Sequence, residues 1–555
     1  MKSIMMKICW RAVVALATVL LALAGAQAAA SSSSPVPFTD TAQPLPKAHL
    51  HFGNPTASDS GGPSTNSVAV ADLNGDGKLD LVVTNECQSV NCDAPGEVAV
   101  LLGNGDGTFQ PAVTYGTGAY YADSVTVGDM NGDGKPDLLV ANLCSGTFCT
   151  FGTNGSGMIG VLLGNGDGTF QPVVTYSSGG VFAFSVATAD LKGDGKLDLV
   201  VANNCRDNYC EDGSVSVLSG NGDGIFQPAI TYDAGGYDTD SVLIADVNND
   251  GHPDLIVSNF CESNQCGPNS FGTVGVLLGN GDGSFKPVVN YVSNDSYAYS
   301  VAVADLRGNG KLDLVMANQC QGNRGGFGCP TSNVVDVLLG NGEGTFQAAI
   351  TYLPTGWEHD SVVIGDVNGD GYPDLVVVNE CQHSSRIGDC VGTGQVSVLL
   401  GNGDGTFQAP VKFGSGGYRG SSIAIGDVNG DGRPDIVVTN AEASAGNYNN
   451  GSVAVLLNET SYTTKATLSS SANPSHINQT VTFTAAITSN PPLPNGEMVT
   501  FYSGKTKLGT GVTANGLASL STSFSKLGTY SIKAKYPGDA FRKASSGLMT
   551  QVVNP

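Results

Sequence analysis

A nine-residue loop, Asp-x-Asn-Gly-Asp-Gly-x-x-Asp, recurs along the sequence and constrains the fold more than any other feature. Its seven copies begin at Asp72, Asp129, Asp190, Asp246, Asp305, Asp366 and Asp427. Most copies place a side-chain oxygen at positions 1, 3, 5 and 9 and a glycine at position 6. Ca²⁺ prefers an all-oxygen ligand set, and glycine permits the sharp turn that wraps the chain around an ion. The repetition therefore predicts calcium binding.

The predicted ligands occupy positions 1, 3, 5, 7 and 9, and position 7 contributes its carbonyl. They are Asp72, Asn74, Asp76, Lys78, Asp80, Asp129, Asn131, Asp133, Lys135, Asp137, Asp190, Asp194, Lys196, Asp198, Asp246, Asn248, Asp250, His252, Asp254, Asp305, Asn309, Asp313, Asp366, Asn368, Asp370, Tyr372, Asp374, Asp427, Asn429, Asp431, Arg433 and Asp435. Lys192 takes position 3 of the third loop, and Arg307 and Asn309 replace two ligands of the fifth. We therefore expect five to seven ions, with a weakened site at Asp190 and a weak or empty site at Asp305, where Arg307 stands in for the cation.

The loops recur with a period of 56 to 61 residues, which indicates a repeated structural unit. The first unit has strand patterns at 67–71, 81–84, 98–102 and 112–115, separated by Asn-Gly and Asp-Gly turns. Four short antiparallel strands per repeat, in seven repeats, predict an all-β fold, a seven-bladed β-propeller.

The two ends of the repeat region indicate how the propeller closes. The seventh unit has three strand patterns and lacks the fourth, whereas residues 50–55, upstream of the first unit, resemble an isolated fourth strand. We therefore predict that the N-terminal strand completes the last blade, which removes two exposed sheet edges.

The loop and the turn Gly-Asn-Gly-Asp-Gly-Thr-Phe-Gln-Pro resemble FG-GAP/VCBS repeats, such as those of the integrin α-subunit head, over residues 48–458. The resemblance implies a seven-bladed propeller with Ca²⁺ bound between the first two strands of a blade. The family includes adhesion modules, lectins and some polysaccharide lyases, so the fold does not select one function.

Composition changes after residue 460, and residues 464–555 have the alternating pattern of a small β-sandwich. This segment resembles the bacterial Ig-like domain. The resemblance is carried by Pro474 and by residues 481–483, 496–502 and 536–539. The predicted domains are thus a propeller at 48–460 and an Ig-like domain at 464–555.

The N-terminus has the pattern of a secretory signal peptide, with a basic segment, a short apolar run and an Ala-Gln-Ala cleavage site, at residues 1–28. A polar, disordered leader is expected at 29–47, and no transmembrane segment. Twelve cysteines remain after cleavage and form six local pairs, as expected for disulfides in an exported protein. The pairs are Cys87/Cys92, Cys144/Cys149, Cys205/Cys210, Cys261/Cys266, Cys320/Cys329 and Cys381/Cys390. We expect a secreted protein that is extracellular, or periplasmic or associated with the cell surface, after the signal peptide is cleaved.

The chain has 25 basic and 49 acidic side chains and a formal charge of −24. This balance argues against nucleic acid and anionic membranes as partners. We expect a monomer that binds an extracellular protein or glycan. No pattern of catalytic residues is present, which favours binding over catalysis. The two alternatives are a carbohydrate-binding lectin and a polysaccharide-active enzyme such as a lyase.

An aromatic residue precedes the first strand pattern in most units. These residues are Tyr120, Tyr121, Phe182, Tyr237, Tyr297, Trp357 and Tyr418. They lie on the face of the propeller that also carries the cysteine loops, because strand direction alternates within a blade. They are either a set of ligand-binding platforms or aromatic side chains that fill gaps between blades. We take adhesion or recognition on this face as the leading functional hypothesis.

Overall fold

The computed structural model describes residues 50–88, 92–146, 149, 155–207, 209–262, 270–294, 297–319, 334–354, 356–384, 390–446 and 450–555. The predicted signal peptide and leader lie outside these residues, as do Cys266, Cys320 and Cys329. The regular elements of the described residues are strands, which confirms the all-β class. Within the same ranges, no helix has the length and apolar character needed to cross a membrane.

The described part of the N-terminal region repeats a unit of four antiparallel strands. The first strands are β2 (Thr65–Ala71), β6 (Tyr120–Gly128), β9 (Val174–Ala189), β13 (Tyr237–Ala245), β17 (Ala298–Ala304), β21 (Trp357–Gly365) and β27 (Tyr418–Gly426). The second strands are β3 (Asp80–Asn85), β7 (Asp137–Cys144), β10 (Asp198–Cys205), β14 (Asp254–Cys261), β18 (Asp313–Asn318), β22 (Asp374–Cys381) and β28 (Asp435–Glu442).

The third strands are β4 (Glu97–Leu101), β8 (Ser156–Leu162), β11 (Ser214–Leu218), β15 (Thr273–Leu277), β19 (Val334–Leu338), β25 (Gln395–Leu399) and β29 (Ser452–Leu456). The separate fourth strands are β5 (Val113–Gly116), β12 (Ile230–Asp233), β16 (Val289–Val292), β20 (Ile350–Tyr352), β26 (Val411–Gly414) and β1 (Thr56–Asp59). The long strand β9 serves as the fourth strand of one unit and the first of the next. A short hairpin of two strands with two residues each, β23 (His383–Ser384) and β24 (Cys390–Val391), follows β22.

The units form a closed propeller. The first strands of successive units lie side by side, and β27 of the last unit lies beside β2 of the first. The backbone N–H of Val125 donates to Ser67 Oγ of the preceding unit at 3.4 Å. At the closure, Ser421 Oγ donates to the carbonyl of Thr65 at 2.7 Å. Apolar clusters are shared between neighbouring units, so each interface between blades is a small core.

Aromatic pairs join the outer parts of neighbouring blades at six of the seven interfaces in the described residues. In five of them a tyrosine of the fourth strand meets the phenylalanine of the next Gly-rich turn edge to face, and in the sixth Phe413 meets Phe52, with ring centroids 5.1–5.5 Å apart. The pairs are Tyr115–Phe170, Tyr176–Phe226, Tyr232–Phe285, Tyr291–Phe346, Tyr352–Phe407 and Phe413–Phe52.

The first strands begin earlier than the sequence pattern predicts. In the first unit β2 starts at Thr65 rather than residue 67, and in the second unit β6 already includes Tyr120. The pairing register shifts between Thr65 and Val68, and again between Ala122 and Ser124. This β-bulge interrupts the alternation of inward and outward side chains, so the start of the strand is hidden from a pattern analysis.

The predicted closure by the N-terminal segment is present, but a different segment forms the strand. β1 pairs with β29 from Thr56↔Val455 to Asp59↔Ser452, downstream of the predicted residues 50–55. Phe52 instead bridges Asn458, the pairing that Gly103 and Phe109 make in the first unit. The predicted segment thus supplies the missing turn phenylalanine, and the residues after it supply the missing strand.

The C-terminal unit is a β-sandwich of two sheets. Its strands are β30 (Lys465–Ser470), β31 (Ser475–His476), β32 (Thr480–Thr488), β33 (Met498–Ser503), β34 (Thr506–Val512), β35 (Leu517–Ser523), β36 (Gly528–Tyr536) and β37 (Ser545–Asn554). One sheet has the order β30-β32-β35 and the other β31-β37-β36-β33-β34. Alternate residues of the two sheets, including Phe483, Phe501 and Tyr536, form the buried core. The predicted Ig-like sandwich is confirmed.

Candidate calcium sites and the disulfide face

The aspartate at position 9 of each loop ties three parts of a blade together. Asp80 is fully buried at the start of β3. Its Oδ2 accepts the N–H of Leu73 at 2.9 Å, and its Oδ1 accepts the N–H of Gly103 at 2.7 Å. The other six loops repeat both bonds at 2.7–3.3 Å. Position 9 therefore has a structural role in every blade, in addition to its predicted role as a ligand.

The aspartate at position 1 organises the rest of the loop. Asp72 Oδ1 accepts the N–H of Asp76 at 3.2 Å, and its Oδ2 accepts the N–H of Gly77 at 2.9 Å. Asn74 Oδ1 also accepts the N–H of Asp76, at 2.9 Å. Gly75 and Gly77 both have positive φ, 73° and 80°, which glycine adopts without strain. The loop thus curls around the oxygens of positions 1 and 3.

Electrostatics favour a cation in these loops. Burial raises the pKa of Asp254 to about 6, and the nearby carboxylates of Asp250 and Asp246 add to the shift. Burial raises the pKa of Asp435 to about 6 in the same way, with Asp431 and Asp427 beside it. Three carboxylates close together repel one another at neutral pH, and a divalent cation removes that repulsion. The donors are all oxygens, so the residues present fit Ca²⁺.

In two loops a basic side chain of the protein pairs with the position 9 carboxylate. Lys192 Nζ lies 2.9 Å from Asp198 Oδ1 and 3.7 Å from Asp194 Oδ2. In the fifth loop Arg307 Nη2 lies 2.6 Å from Asp313 Oδ1 and donates to the carbonyl of Gly340 at 2.7 Å. Both side chains come from position 3, where the complete loops have asparagine. The basic residues thus bind the position 9 carboxylate from within the loop.

The Gly-Asn-Gly-Asp-Gly turns lie against the loops. A Cβ on Gly105 would approach Lys78 Cδ of the first loop to 2.9 Å, so the lysine chain rests on the turn. Asp106 Oδ1 accepts both the N–H and the hydroxyl of Thr108, at 3.0 and 2.6 Å. This carboxylate closes its own hairpin turn.

A buried asparagine at the end of each second strand was missed by the sequence analysis. Each follows the position 9 aspartate by five residues and is fully buried. The seven are Asn85, Asn142, Asn203, Asn259, Asn318, Asn379 and Asn440. Asn142 Oδ1, for example, accepts the hydroxyl of Thr117 at 2.5 Å. The signal was available, since a polar residue at one place in seven apolar strands points to a structural network.

The predicted disulfides lie at the opposite end of the strands from the calcium loops, a region we call the disulfide face. Cys87–Cys92, Cys144–Cys149 and Cys205–Cys210 are bonded, and Cys261 and Cys381 are also in disulfides. Tyr120 pairs with Cys144 and Tyr237 with Cys261 in the strand ladders, which places these aromatic residues on the same face.

The aromatic residues of the disulfide face do not form a ring of exposed platforms. Phe182 is 2% exposed and packs in a cluster with Phe184 and the cysteines. Tyr297 stacks on Phe260 with ring centroids 3.9 Å apart. Tyr120, Tyr121, Tyr237 and Tyr418 are half-buried, and the Trp357 side chain lies outside the described part of the structure. The described members therefore favour the packing interpretation.

Backbone strain recurs where the chain enters each first strand. Six non-glycine residues at the same place in their units have φ between 52° and 61°. They are Ser64, Tyr121, Phe182, Asp238, Tyr297 and Arg419. A left-handed conformation is rare for such residues and is typical of functional sites. The side chain varies from serine to arginine while the backbone geometry is kept.

Two buried carboxylates also lie on this face. Asn66 Nδ2 donates to Asp123 Oδ1 at 3.1 Å and to Glu86 Oε1 at 3.4 Å. The second oxygen of Asp123 has no hydrogen-bond partner among the described residues. Burial raises the pKa of Glu86 to about 7. Burial also raises the pKa of Asp123 well above its usual value, and the negative charges of Glu86 and Asp240 add to that increase.

The pKa of Glu86 predicts a pH dependence of stability. A carboxyl whose pKa is raised on folding contributes stability at low pH, and the contribution is lost as the pH rises through its folded pKa, about 7. With calcium saturating, we expect Glu86 to lower the free energy of unfolding by on the order of 1 kcal/mol between about pH 6 and about pH 8. Denaturant unfolding of Glu86→Gln should show a flatter pH profile, and the exposed control Asp212→Asn an unchanged one.

Comparison with known families agrees with this architecture. The FG-GAP-like repeat matches residues 88–140, 148–201, 205–257, 266–316, 327–377 and 389–438, and the FG-GAP repeat matches 64–86, 121–161 and 360–399. The bacterial Ig-like domain (group 3) matches residues 467–554. The chain belongs to the FG-GAP-like repeat family and carries a C-terminal bacterial Ig-like domain. None of the curated proteins is a significant match.

Solved structures resemble the chain only distantly. The extracellular domain of BT4673 from B. thetaiotaomicron has a TM-score of 0.37 at 9% identity over 92% of this chain, which spans 58% of that protein's length. Trypanosoma rangeli sialidase has a TM-score of 0.32 at 12% identity over 76% of this chain and 56% of its own. The fructofuranosidase of Schwanniomyces occidentalis has a TM-score of 0.28 at 10% identity, and the match covers 91% of this chain and 92% of the fructofuranosidase chain. These scores are too low to bear on function.

Proposed function

We propose that the propeller is an extracellular recognition module whose blades are stabilised by Ca²⁺ in the loops between the first and second strands. Five loops, those beginning at Asp72, Asp129, Asp246, Asp366 and Asp427, carry the complete Asp, Asn, Asp and Asp set and each take one ion. The bound ion supplies charge neutralisation. The loop residues hold it and keep the position 9 aspartate in contact with the Gly-rich turn.

The observation that carries the proposal is the substitution of a protein cation for the ion. Lys192 and Arg307 occur in the two loops with a defective ligand set, and each pairs with the buried position 9 carboxylate. A positive charge beside the position 9 carboxylate is favourable, because burying a carboxylate is costly even when it accepts hydrogen bonds. The complete loops have asparagine at position 3, and where they carry a basic residue at position 7 (Lys78, Lys135 and Arg433) it pairs with the position 5 aspartate instead. In these loops a metal ion would supply the charge at position 9.

Loop conversion tests the metal assignment. The double variant Arg307→Asn with Asn309→Asp restores the complete set to the fifth loop, and we expect it to bind one more Ca²⁺ than the wild-type protein. Atomic absorption after gel filtration in calcium buffer measures the stoichiometry. As a control, Arg307→Gln alone leaves position 5 without a carboxylate and should add no ion. An unchanged count in the double variant would contradict the assignment of ligands.

Recognition is assigned to the disulfide face. Support comes from the strained residues and from the cysteine loops, whose sequences differ between units while the calcium face repeats. Loops of this kind on a rigid scaffold are where ligand specificity is usually built.

The recognition proposal can be tested with calcium-loaded protein on a glycan array and on a panel of extracellular proteins. A ligand of this face should lose at least about fivefold in affinity on Tyr209→Ala, since this side chain lies between Cys205 and Cys210 and is 85% exposed. The same ligand should be unaffected by Gln110→Ala, an exposed residue after the Gly-rich turn at the opposite end of the strands. Equal losses on both faces, or release of an unsaturated sugar product, would contradict a binding role for the disulfide face.

A further inference from the structure

The C-terminal sandwich has a charge opposite to that of the whole chain. Between residues 464 and 555 there are eight basic side chains and two acidic ones, a formal charge of +6 in a chain whose total is −24. The acidic balance of the chain therefore belongs to the propeller, and the argument against anionic partners does not extend to the sandwich.

Three of the eight basic residues lie together on one face of the five-stranded sheet. On β36, Lys533 and Lys535 alternate with the buried residues Ile532 and Ala534, so the lysines lie on the outer face. Tyr502 of β33 lies directly opposite Lys533, and Lys507 of β34 lies opposite Tyr502. We call Lys507, Tyr502, Lys533 and Lys535 the basic face.

The register sets the spacing of these groups. Lys507, Tyr502 and Lys533 occupy one row across three neighbouring strands. Neighbouring strands are about 4.8 Å apart, so the backbones of the two lysines are about 10 Å apart with the tyrosine between them. Lys535 pairs with Thr500 in the adjacent row. The face thus presents positive charges around one aromatic ring.

The positive charge of this face is not neutralised within the described part of the chain. None of the three lysines forms a salt bridge there. One of the two acids of the domain, Asp539, is bound to Arg542 at 3.1 Å and accepts the hydroxyl of Tyr536 at 2.9 Å. Lys507 and Lys535 are exposed, and so is Leu548 beside Lys533, at 68%.

The strands of the opposite sheet carry one lysine, Lys465 of β30. The outer face of β32 and β35 is lined by hydroxyl groups that bond across the strands, at 2.8 Å between Thr482 and Ser521 and 3.0 Å between Thr484 and Ser519.

We propose that the basic face binds an acidic polysaccharide. Carboxylate or sulfate groups along the polymer pair with the three lysines, and a sugar ring packs on Tyr502. The face has lysines and no arginine, so it lacks the bidentate geometry that favours phosphate. Its three lysines are also fewer than the four to eight typical of segments that bind anionic lipids. The observations therefore favour a polysaccharide over nucleic acid or a membrane.

The test uses the full secreted chain in calcium buffer, with carboxymethyl dextran as the acidic polymer and unmodified dextran as the matched neutral one. We expect binding to carboxymethyl dextran only, weakening as NaCl rises from about 0.05 to about 0.5 M. The triple variant K507Q/K533Q/K535Q should bind at least about tenfold more weakly. Tyr502→Ser should weaken binding about threefold without changing the salt dependence.

A second triple variant, K465Q/K526Q/K543Q, removes the same charge from exposed lysines elsewhere in the domain and should lose less than about twofold. Thermal unfolding of both variants checks that the sandwich is intact. If the two triple variants lost the same affinity, the binding would depend only on the net charge of the domain, and the proposal would be overturned. Tighter binding to duplex DNA or to phosphatidylglycerol vesicles than to carboxymethyl dextran would overturn the assignment to a polysaccharide.

Discussion

We expect removal of calcium to lower the melting temperature of the propeller by on the order of 10 °C and to leave the sandwich transition in place. Extracellular calcium sites have dissociation constants of about 10⁻⁴–10⁻³ M. At the tighter limit, an ion at about 1 mM stabilises by about 1.4 kcal/mol per site, or about 7 kcal/mol over five independent sites. Differential scanning calorimetry in excess EDTA and in about 1 mM Ca²⁺ measures the shift.

Magnesium provides the control for this prediction. Mg²⁺ demands a smaller, near-octahedral site and gives up its water reluctantly, so about 1 mM Mg²⁺ should restore little of the lost stability. An identical shift with both ions would indicate general screening of the −24 formal charge rather than bound calcium. A propeller transition that ignores EDTA would show that the loops are turns held by their own hydrogen bonds.

We expect substitution of Arg307 by alanine to destabilise the propeller by about 3–5 kcal/mol, because Asp313 is fully buried and would lose its cationic partner. The arginine also donates to the carbonyl of Gly340, so the change opens the contact between the fifth loop and its turn. Unlike the effect of EDTA, this loss should be the same with and without calcium. Urea unfolding in both conditions measures it.

Two further variants define the cause. Arg307→Lys keeps the charge but cannot make the bidentate contact of the guanidinium with both oxygens of Asp313. We therefore expect it to recover about half of the stability that Arg307→Ala loses. Asp313→Asn combined with Arg307→Ala removes both charges and should be milder than Arg307→Ala alone. If the double variant were as unstable as the single one, the missing packing of the arginine chain would be responsible and not the buried charge.

The repeat could be predicted from the sequence because its signals are local. The calcium loop, the Asn-Gly turns and the short apolar strands each lie within a few residues, and seven copies reinforce one another. The pairing of Arg307 with the carboxylates of the fifth loop was also predictable, since a basic side chain within an acidic loop is expected to contact them. The alternation of the sandwich strands likewise places Phe483 and Phe501 in the core.

The features that were missed depend on contacts between distant residues. The bulge at Asp123 is visible only from its partner strand, and the pairing of Thr56 with Val455 joins opposite ends of the propeller. The charge of the sandwich was hidden by averaging over the whole chain. The burial of Phe182 follows from its neighbours in the preceding blade, which no local pattern records.

The pairing of β1 with β29 sets an order of events during biosynthesis. β1 leaves the ribosome or the export channel before the strands of the blades, and its partner lies in the last blade, so the ring has two open edges until the whole propeller has emerged. Each blade can fold as it appears, but the closure waits for the end of the repeat region. A chain truncated in its last blade would therefore leave folded blades with unpaired strand edges at both ends, which would expose it to aggregation and to quality-control proteases.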